Sequence, residues 1–409
     1  MSETVWAPAR AEIDASDLLG RIAGLRFAGR EPLAAAAFDL LGAISAAIFA
    51  DPMSRQVPQH VALAYWLRPA ALARLRSTLA AASESADYVP APRGVALHLP
   101  PTNVDTIFVY SWAISVLAGN ANVVRLGRTL SPAAERLVGL VTEAVARFGD
   151  SERQIFCTYA YGGSLEREIA EHCDLRLVWG GDAKVRQVGR VPIRPDGLTL
   201  GFPNRHSFAV IASNAYAEAR EGIRDGLASN LYNDLFWFDQ MGCGSPRILF
   251  WIGQPATDLR EDLRRRLLET VSRKRYAVET GIAIQKMARG HDFLAEGVTT
   301  RFAMPTNALG ISEVREPAAF LERAMGGGFL GEMVVGALAD IVPFIAREAQ
   351  TLTHFGIEGA ELRRFASAVA GRGLYRIVPV GSALSFDIDW DGVSLFEHAT
   401  RRIVVRTAT

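Results

Sequence analysis

The sequence predicts an α/β protein built on a parallel sheet covered on both faces. Two observations carry this. From Gly94 onward, short apolar runs alternate with helical stretches, the pattern of strands joined by right-handed crossover helices. The helical stretches also carry start and stop signals where the strands require them: a glycine at 119, and Ser131 with Pro132 at the next helix start.

Taken in order, residues 1 to about 90 read as helical. Leu63, Trp66 and Leu67, then Leu72, Leu75 and Leu79, recur at helical spacing among many alanines. "VALHL" (95–99) is a strand, 105–119 a buried helix, and "NVVRL" (122–126) a second strand. Leu137, Val138, Val141, Val145 and Phe148 form the apolar face of the helix that follows Ser131. "QIFCTYA" (154–160) and "LRLVW" (175–179) are further strands, separated by a helix over 165–172. A second α/β unit opens near Ser207 with "FAVIA", continues through a strand at 248–252, and reaches an Arg- and Glu-rich helix over 258–273. In such folds ligands are expected beyond the carboxyl ends of the strands. No G-x-G-x-x-G follows the first strand, where "LPPTNVDT" stands instead, so a dinucleotide would bind in another mode.

Composition narrows the class. The 409 residues suffice for two or three domains. Lys+Arg and Asp+Glu both number 44, which argues against a nucleic-acid binder with a global basic field but leaves room for a local pocket for a phosphorylated cofactor. Three cysteines do not make a disulfide framework, and a reducing cytosol is expected. The N-terminus shows no basic and apolar signal pattern, and the longest apolar runs are too short to span a bilayer.

One cysteine stands out. "DQMGCGSPRILFW" (239–251) places Cys243 between two glycines just before a strand. The reading is a nucleophile, with the glycines giving a substrate access to sulfur and backbone N–H groups. Cys157, inside an apolar strand, and Cys173, at a helix end, read as packing residues.

"PPTNVDT" with Asn103, "WGGDAK" with Gly180 and Gly181, and "DQMGCGSP" with Cys243 together resemble the aldehyde dehydrogenase superfamily. "GNANVVRLGRTLSPAAERL" is similar to its "GN-x-V-V-K-P" strand, with Arg125 where the ribose-binding lysine usually stands. The cysteine motif, "VWGGDAKVRQVGRVPIRPDG", and "GLYRIVPVGSALSFDIDWDG" (373–392) resemble the LuxC-type acyl-CoA reductases, with the likeness running over roughly residues 90–405. The resemblance implies an aldehyde-dehydrogenase-like fold: a Rossmann-type cofactor-binding domain with the N-terminal helices over 1–203, an α/β catalytic domain over 204–362, and a segment over 363–409 packing back on the fold or on a neighbouring subunit. It implies NADPH-dependent reduction of an acyl-CoA, or of an acyl-carrier-protein thioester, by a cytoplasmic homo-oligomer, with NADH the alternative reductant and CoA the leaving group. Where ordinary members carry "L-E-L-G-G-K", whose Glu activates water, this chain has "LTLGFPNRHS" with Thr199.

The site residues expected are Cys243 as nucleophile, Asn103 as oxyanion donor, His206 as base, Gly180 and Gly181 at the cofactor, and Arg125 and Arg128 at its ribose or 2′-phosphate. Each has a plainer alternative. Asn103 would cap the helix near Asp105, the two glycines would make a tight turn, the arginines would be solvated charges, and His206 would be a satisfied structural histidine. Two other functions share the pattern: an acyl-phosphate reductase of the glutamyl-phosphate type, and a non-catalytic binding protein that kept the fold.

Overall fold

The computed structural model describes residues 3–5, 11–83 and 87–406. The termini of the expected domains, residues 1 and 409, lie outside these. The chain forms two compact units, Met1–Pro203 with Phe386–Thr409, and Asn204–Ser385.

The first unit holds β1 (Glu3–Val5), β2 (Ala11–Ile13), β3 (Tyr88–Pro92), β4 (Val95–Leu99), β5 (Ala121–Arg125), β6 (Gln154–Thr158), β7 (Leu175–Trp179) and β8 (Leu198–Phe202). All but β3 form one sheet in the order β2-β1-β6-β5-β4-β7-β8. Strands β4 to β8 run parallel, and β1 pairs antiparallel with β6 and β2. The chain therefore builds outward from β4 through β5 to β6, then returns to the other side of β4 with β7 and β8. The crevice at the carboxyl ends of β4 and β7 is the switch point where such sheets take ligands. Strands β4, β5 and β7 are buried at every position, as sheets covered on both faces require. The helix Ile107–Leu117 between β4 and β5 is buried at all eleven positions, so it is apolar all round rather than amphipathic.

Helices Ala15–Ala23, Ala35–Ala50, Pro58–Trp66 and Pro69–Ser83 match the helical reading of the N-terminal region. That reading did not include β1, β2 or β3. The first two are three residues each and owe their form to pairing at a sheet edge. Strand β3 contains Pro90 and Pro92 and pairs antiparallel with Thr400–Val404 in a two-stranded ribbon, where prolines are tolerated.

The second unit holds β9 (His206–Ala212), β10 (Pro246–Ile252), β11 (Thr299–Thr306), β12 (Leu309–Val314), β13 (Phe329–Val335), β14 (Ala349–Phe355) and β15 (Arg376–Pro379). Their order is β11-β12-β13-β10-β9-β14-β15, parallel except for β11 against β12. Side chains alternate between two cores. Ala209, Ile211, Leu249 and Trp251 face one side with Leu231, Leu235 and Leu267. Phe208, Val210, Ile248 and Phe250 face the other with Phe293, Phe320 and Leu352. The central strands are thus apolar on both faces, and this rigid slab fixes whatever its edges carry.

Candidate active site

The expected site residues fall into two groups, one on each unit. In the second unit, Cys243 and His206 lie at the amino edge of the sheet. His206 is the first residue of β9, paired in register with Ala349 at the start of β14. Cys243 sits three residues before β10. The thiol thus stands on the loop entering β10, not on a loop leaving a strand.

That loop is strained and strongly held. Phe238, Asp239 and Gln240 have φ of 54°, 50° and 59°. Three successive non-glycine residues in the left-handed region cost roughly 1–2 kcal/mol each. The surrounding contacts offset this. The Gln240 side chain is fully buried; its Nε2 donates to the carbonyls of Pro246 (2.7 Å) and Phe329 (3.1 Å), and its Oε1 accepts from the Phe329 N–H (2.9 Å). The Asp239 carbonyl accepts from the Gly327 N–H at 2.6 Å, and its carboxylate from Tyr276 at 2.7 Å. Strain of this kind persists only where the structure over-determines it, and it clusters at functional sites.

Beyond the strained turn, Ser207 Oγ donates to the Cys243 carbonyl at 2.7 Å and accepts from the Thr351 N–H at 3.1 Å. The sulfur is half-buried and accepts from Gln350 Nε2 at 3.2 Å. Arg247, four residues on, donates to the Met325 carbonyl at 2.8 Å. Burial holds its guanidinium down at about 10, while the Cys243 sulfur acts to raise it. By reciprocity that cation favours the thiolate. The other two thiols are different. Cys157 is buried in the first unit's core, and Cys173 donates to the Ile169 carbonyl at 3.1 Å, with burial pushing its thiol well up.

The glycines beside Cys243 have a structural cause that the sequence reading did not supply. A Cβ on Gly244 would lie 2.5 Å from the Ala383 carbonyl oxygen, and one on Gly242 would lie 3.0 Å from a Leu384 methyl. The turn near residue 383 packs directly on the loop.

His98, fully buried on β4, and His206, partly buried at the start of β9, differ. His98 on β4 is bonded through both ring nitrogens, to Ser111 Oγ (2.7 Å) and Asn122 Oδ1 (2.9 Å). His206 has Nε2 buried without a partner, and its ring packs edge-on against Phe208 at 5.3 Å. Burial lowers His206 to about 4; Glu348 acts upward, and Arg247 and Arg205 act downward. At pH 7 the imidazole is neutral and too weak a base to set the ionisation of a thiol near 8.5. Replacing His206 with Asn is therefore expected to leave the shape of the Cys243 acylation profile between pH 5.5 and 8 unchanged. A limb near pH 6.5 that vanished in the variant, measured by stopped flow, would contradict the burial argument.

In the first unit, Arg125 is the last residue of β5, and Asn103, Arg128, Gly180 and Gly181 lie on the loops leaving β4, β5 and β7, all at the carboxyl edge of the sheet. Asn103 is exposed, and the helix cap position is Thr106, with no side-chain capping bond. The capping alternative for Asn103 thus has no support. Arg125 is buried at the end of β5; its Nε and Nη2 donate to the Tyr159 carbonyl (3.2 and 2.8 Å), and its guanidinium lies 3.5 Å from the Tyr161 ring centroid. It is not a solvated charge. Arg128 is exposed on the same loop. Gly180 has φ +148°, where a side chain is strained, and a Cβ there would meet Lys184 Cδ at 2.8 Å. Gly181 is the N-cap of helix Asp182–Gly189, which has no side-chain cap.

Lys184 was missed by the sequence reading. Its Nζ donates to the carbonyls of Leu99 (3.1 Å), Pro100 (2.8 Å) and Trp179 (2.9 Å), tying the ends of β4 and β7 together at the switch point. Burial lowers it to about 8, with Arg125 adding to the effect.

Among the described residues, no helix is long and apolar enough to cross a membrane. The structure is similar to 1-pyrroline-5-carboxylate dehydrogenase from Thermus with bound NAD, at TM-score 0.68 and 11% identity over 98% of this chain and 89% of that one. It is also similar to lactaldehyde dehydrogenase from Escherichia coli, at TM-score 0.65 and 13% identity over 97% and 92%. A third likeness is to an NAD-dependent aldehyde dehydrogenase from Sinorhizobium meliloti, at TM-score 0.64 and 15% identity over 97% and 88%. The fold is that of the aldehyde dehydrogenases. No curated protein matches the sequence. The model of the acyl-CoA reductase (LuxC) family matches residues 71–277, just over half of the 409. On that match, with the fold in agreement, the chain belongs to the acyl-CoA reductase (LuxC) family.

Proposed function

We propose that the protein reduces an acyl thioester, acyl-CoA or an acyl-carrier-protein thioester, to the aldehyde with NADPH, through a covalent acyl–Cys243 intermediate. The observation that carries this is the presentation of Cys243: a half-buried thiol beside an amide donor, on a strained loop fixed by Gln240 and Ser207. A packing cysteine needs none of these.

The Cys243 thiolate attacks the thioester carbonyl carbon. The new C–S bond forms first, giving a tetrahedral oxyanion, and its collapse breaks the bond to CoA, which leaves as a thiolate. Gln350 Nε2 holds the sulfur in place, and Arg247 favours its ionised form. The Asn103 amide and the Cys243 N–H are the proposed donors to the tetrahedral oxyanion. The unpartnered Nε2 of neutral His206 is left for a polar atom of the substrate rather than for proton abstraction.

The carboxyl edge of the first sheet fits a nicotinamide dinucleotide. The uncapped helix N-terminus after Gly181 leaves N–H groups for a pyrophosphate, and Gly180 lets the chain turn into it at a φ of +148°. Arg128, exposed on the neighbouring loop, is the proposed contact for a 2′-phosphate. Reduced nicotinamide, when bound, supplies the hydride that converts the thioester to a thiohemiacetal. Collapse of that adduct releases aldehyde and restores the Cys243 thiol.

Thr199, on β8, stands where the resemblance places a hydrolytic Glu. Without reductant the acyl-enzyme is expected to persist for minutes or longer, and Thr199→Glu to introduce slow hydrolysis, followed as free acid. Rapid release of acid from acyl-CoA by the unmodified protein would contradict this. The fall in NADPH absorbance with acyl-CoA and with acyl phosphate, measured separately, tests the substrate class. Turnover with acyl phosphate alone would replace the present reading with the glutamyl-phosphate type.

A further inference from the structure

The turn that packs on the glycines beside Cys243 is itself clamped from both sides. Asp234, fully buried near the end of helix Glu221–Phe236, accepts from the Gly381 N–H at 2.7 Å and the Ala383 N–H at 3.0 Å. Arg376, at the start of β15, donates to the carbonyls of Ala383 (3.2 Å), Ser382 (3.5 Å) and Ser385 (3.3 Å). A carboxylate thus takes the turn's N–H groups and a guanidinium its carbonyls. The clamped residues are the ones that touch the cysteine loop: the Ala383 carbonyl oxygen comes to 2.5 Å from the space a Cβ of Gly244 would occupy.

We propose that Asp234, acting through the turn Gly381–Ser385, is a positioning residue for Cys243. The inference rests on the reading of Cys243 as the nucleophile. It explains why the carboxylate of Asp234 is fully buried on helix Glu221–Phe236. The ionised form has two acceptor oxygens for two N–H groups. Its protonated form has a hydroxyl in place of one carboxylate oxygen, a weaker acceptor for the N–H it faces, which loosens one side of the clamp.

Burial raises the Asp234 carboxyl to about 7; the Gly381 and Ala383 N–H groups and the facing charge of Arg376 act in the lowering direction. The sign of the linkage separates positioning from stability. A carboxyl raised above its unfolded value of about 3.9 makes its contribution to folding below that value and loses it as pH rises through about 7. Asp234 therefore favours folding more at pH 5.5 than at pH 8, whereas it positions Cys243 better at pH 8. A residue that served the fold alone would not show these opposite trends.

The test compares wild type with Asp234→Asn across pH 5.5 to 8.5, reading alkylation of Cys243 by iodoacetamide and burst release of CoA from acyl-CoA. The wild-type advantage in both rates should be about tenfold or more at pH 8 and fall toward unity at pH 5.5. A ratio near one at pH 8, or one that does not change with pH, overturns the proposal. Should Asp234→Asn not fold, wild type alone decides it. Its alkylation limb below pH 7 should be steeper than one thiol ionisation allows, and a single-ionisation limb overturns the proposal. Alkylation reports on the loop whatever the acyl donor, so normal alkylation without CoA release would remove the functional reading while leaving the clamp standing.

Discussion

Cys243→Ala is expected to lose acyl-enzyme formation and aldehyde production together, by about 10⁴-fold or more. Nothing else among the described residues presents a thiol in this way. Cys157 and Cys173 are both fully buried in the core of the first unit, and their alanine variants should keep activity within a few-fold. The loss in Cys243→Ala should come without unfolding, because the loop is held by the Gln240 side chain, by Ser207 through the Cys243 carbonyl, and by the turn at Ala383, and the substitution removes none of these. Thermal unfolding and NADPH oxidation measured on the same preparation check both halves. Normal turnover in the variant would end the mechanism.

Asn103→Ala is expected to lower kcat by about 10²–10³-fold while KM for the acyl donor changes little, because an oxyanion donor acts in the transition state and not in the ground state. Its stability should be unchanged: the side chain is exposed, and the cap of the following helix is Thr106. A helix cap would give the reverse, a protein about 1 kcal/mol less stable with nearly normal kcat. Denaturation midpoint and steady-state kinetics on the one variant separate the two.

The fold was legible where burial is two-sided. Strands β4 and β7 occupy the residues read from the apolar runs, 95–99 and 175–179, because a strand covered on both faces has little room for polar residues. Short edge strands such as β1 and β2 carry no such signal, since they exist only through pairing. At the site, Cys243 could be read from its unusual setting, but its support could not. Gln350 reaches the sulfur from 107 residues away in sequence, and Gln240 crosses 89 residues to Phe329. Gln350 is one of several polar residues in β14, AQTLTHF, and nothing in that string marks it until the pairing of β14 with β9 places it. The glycines were read as access for a substrate, and they also answer to the Ala383 carbonyl packed against them. For His206 the residue type and position were visible, while the burial that holds it neutral was not. Lys184 lies four residues from Gly180, yet nothing local indicates that its side chain folds back onto three main-chain carbonyls.

The most direct test of the account is the intact mass of the protein after incubation with acyl-CoA in the absence of nicotinamide cofactor. The account predicts one added acyl group per chain, mapped by peptide analysis to Cys243, absent in Cys243→Ala, and discharged as aldehyde when NADPH is added. An adduct at Cys157 or Cys173, or no adduct in a folded protein that nonetheless reduces acyl-CoA, would contradict it.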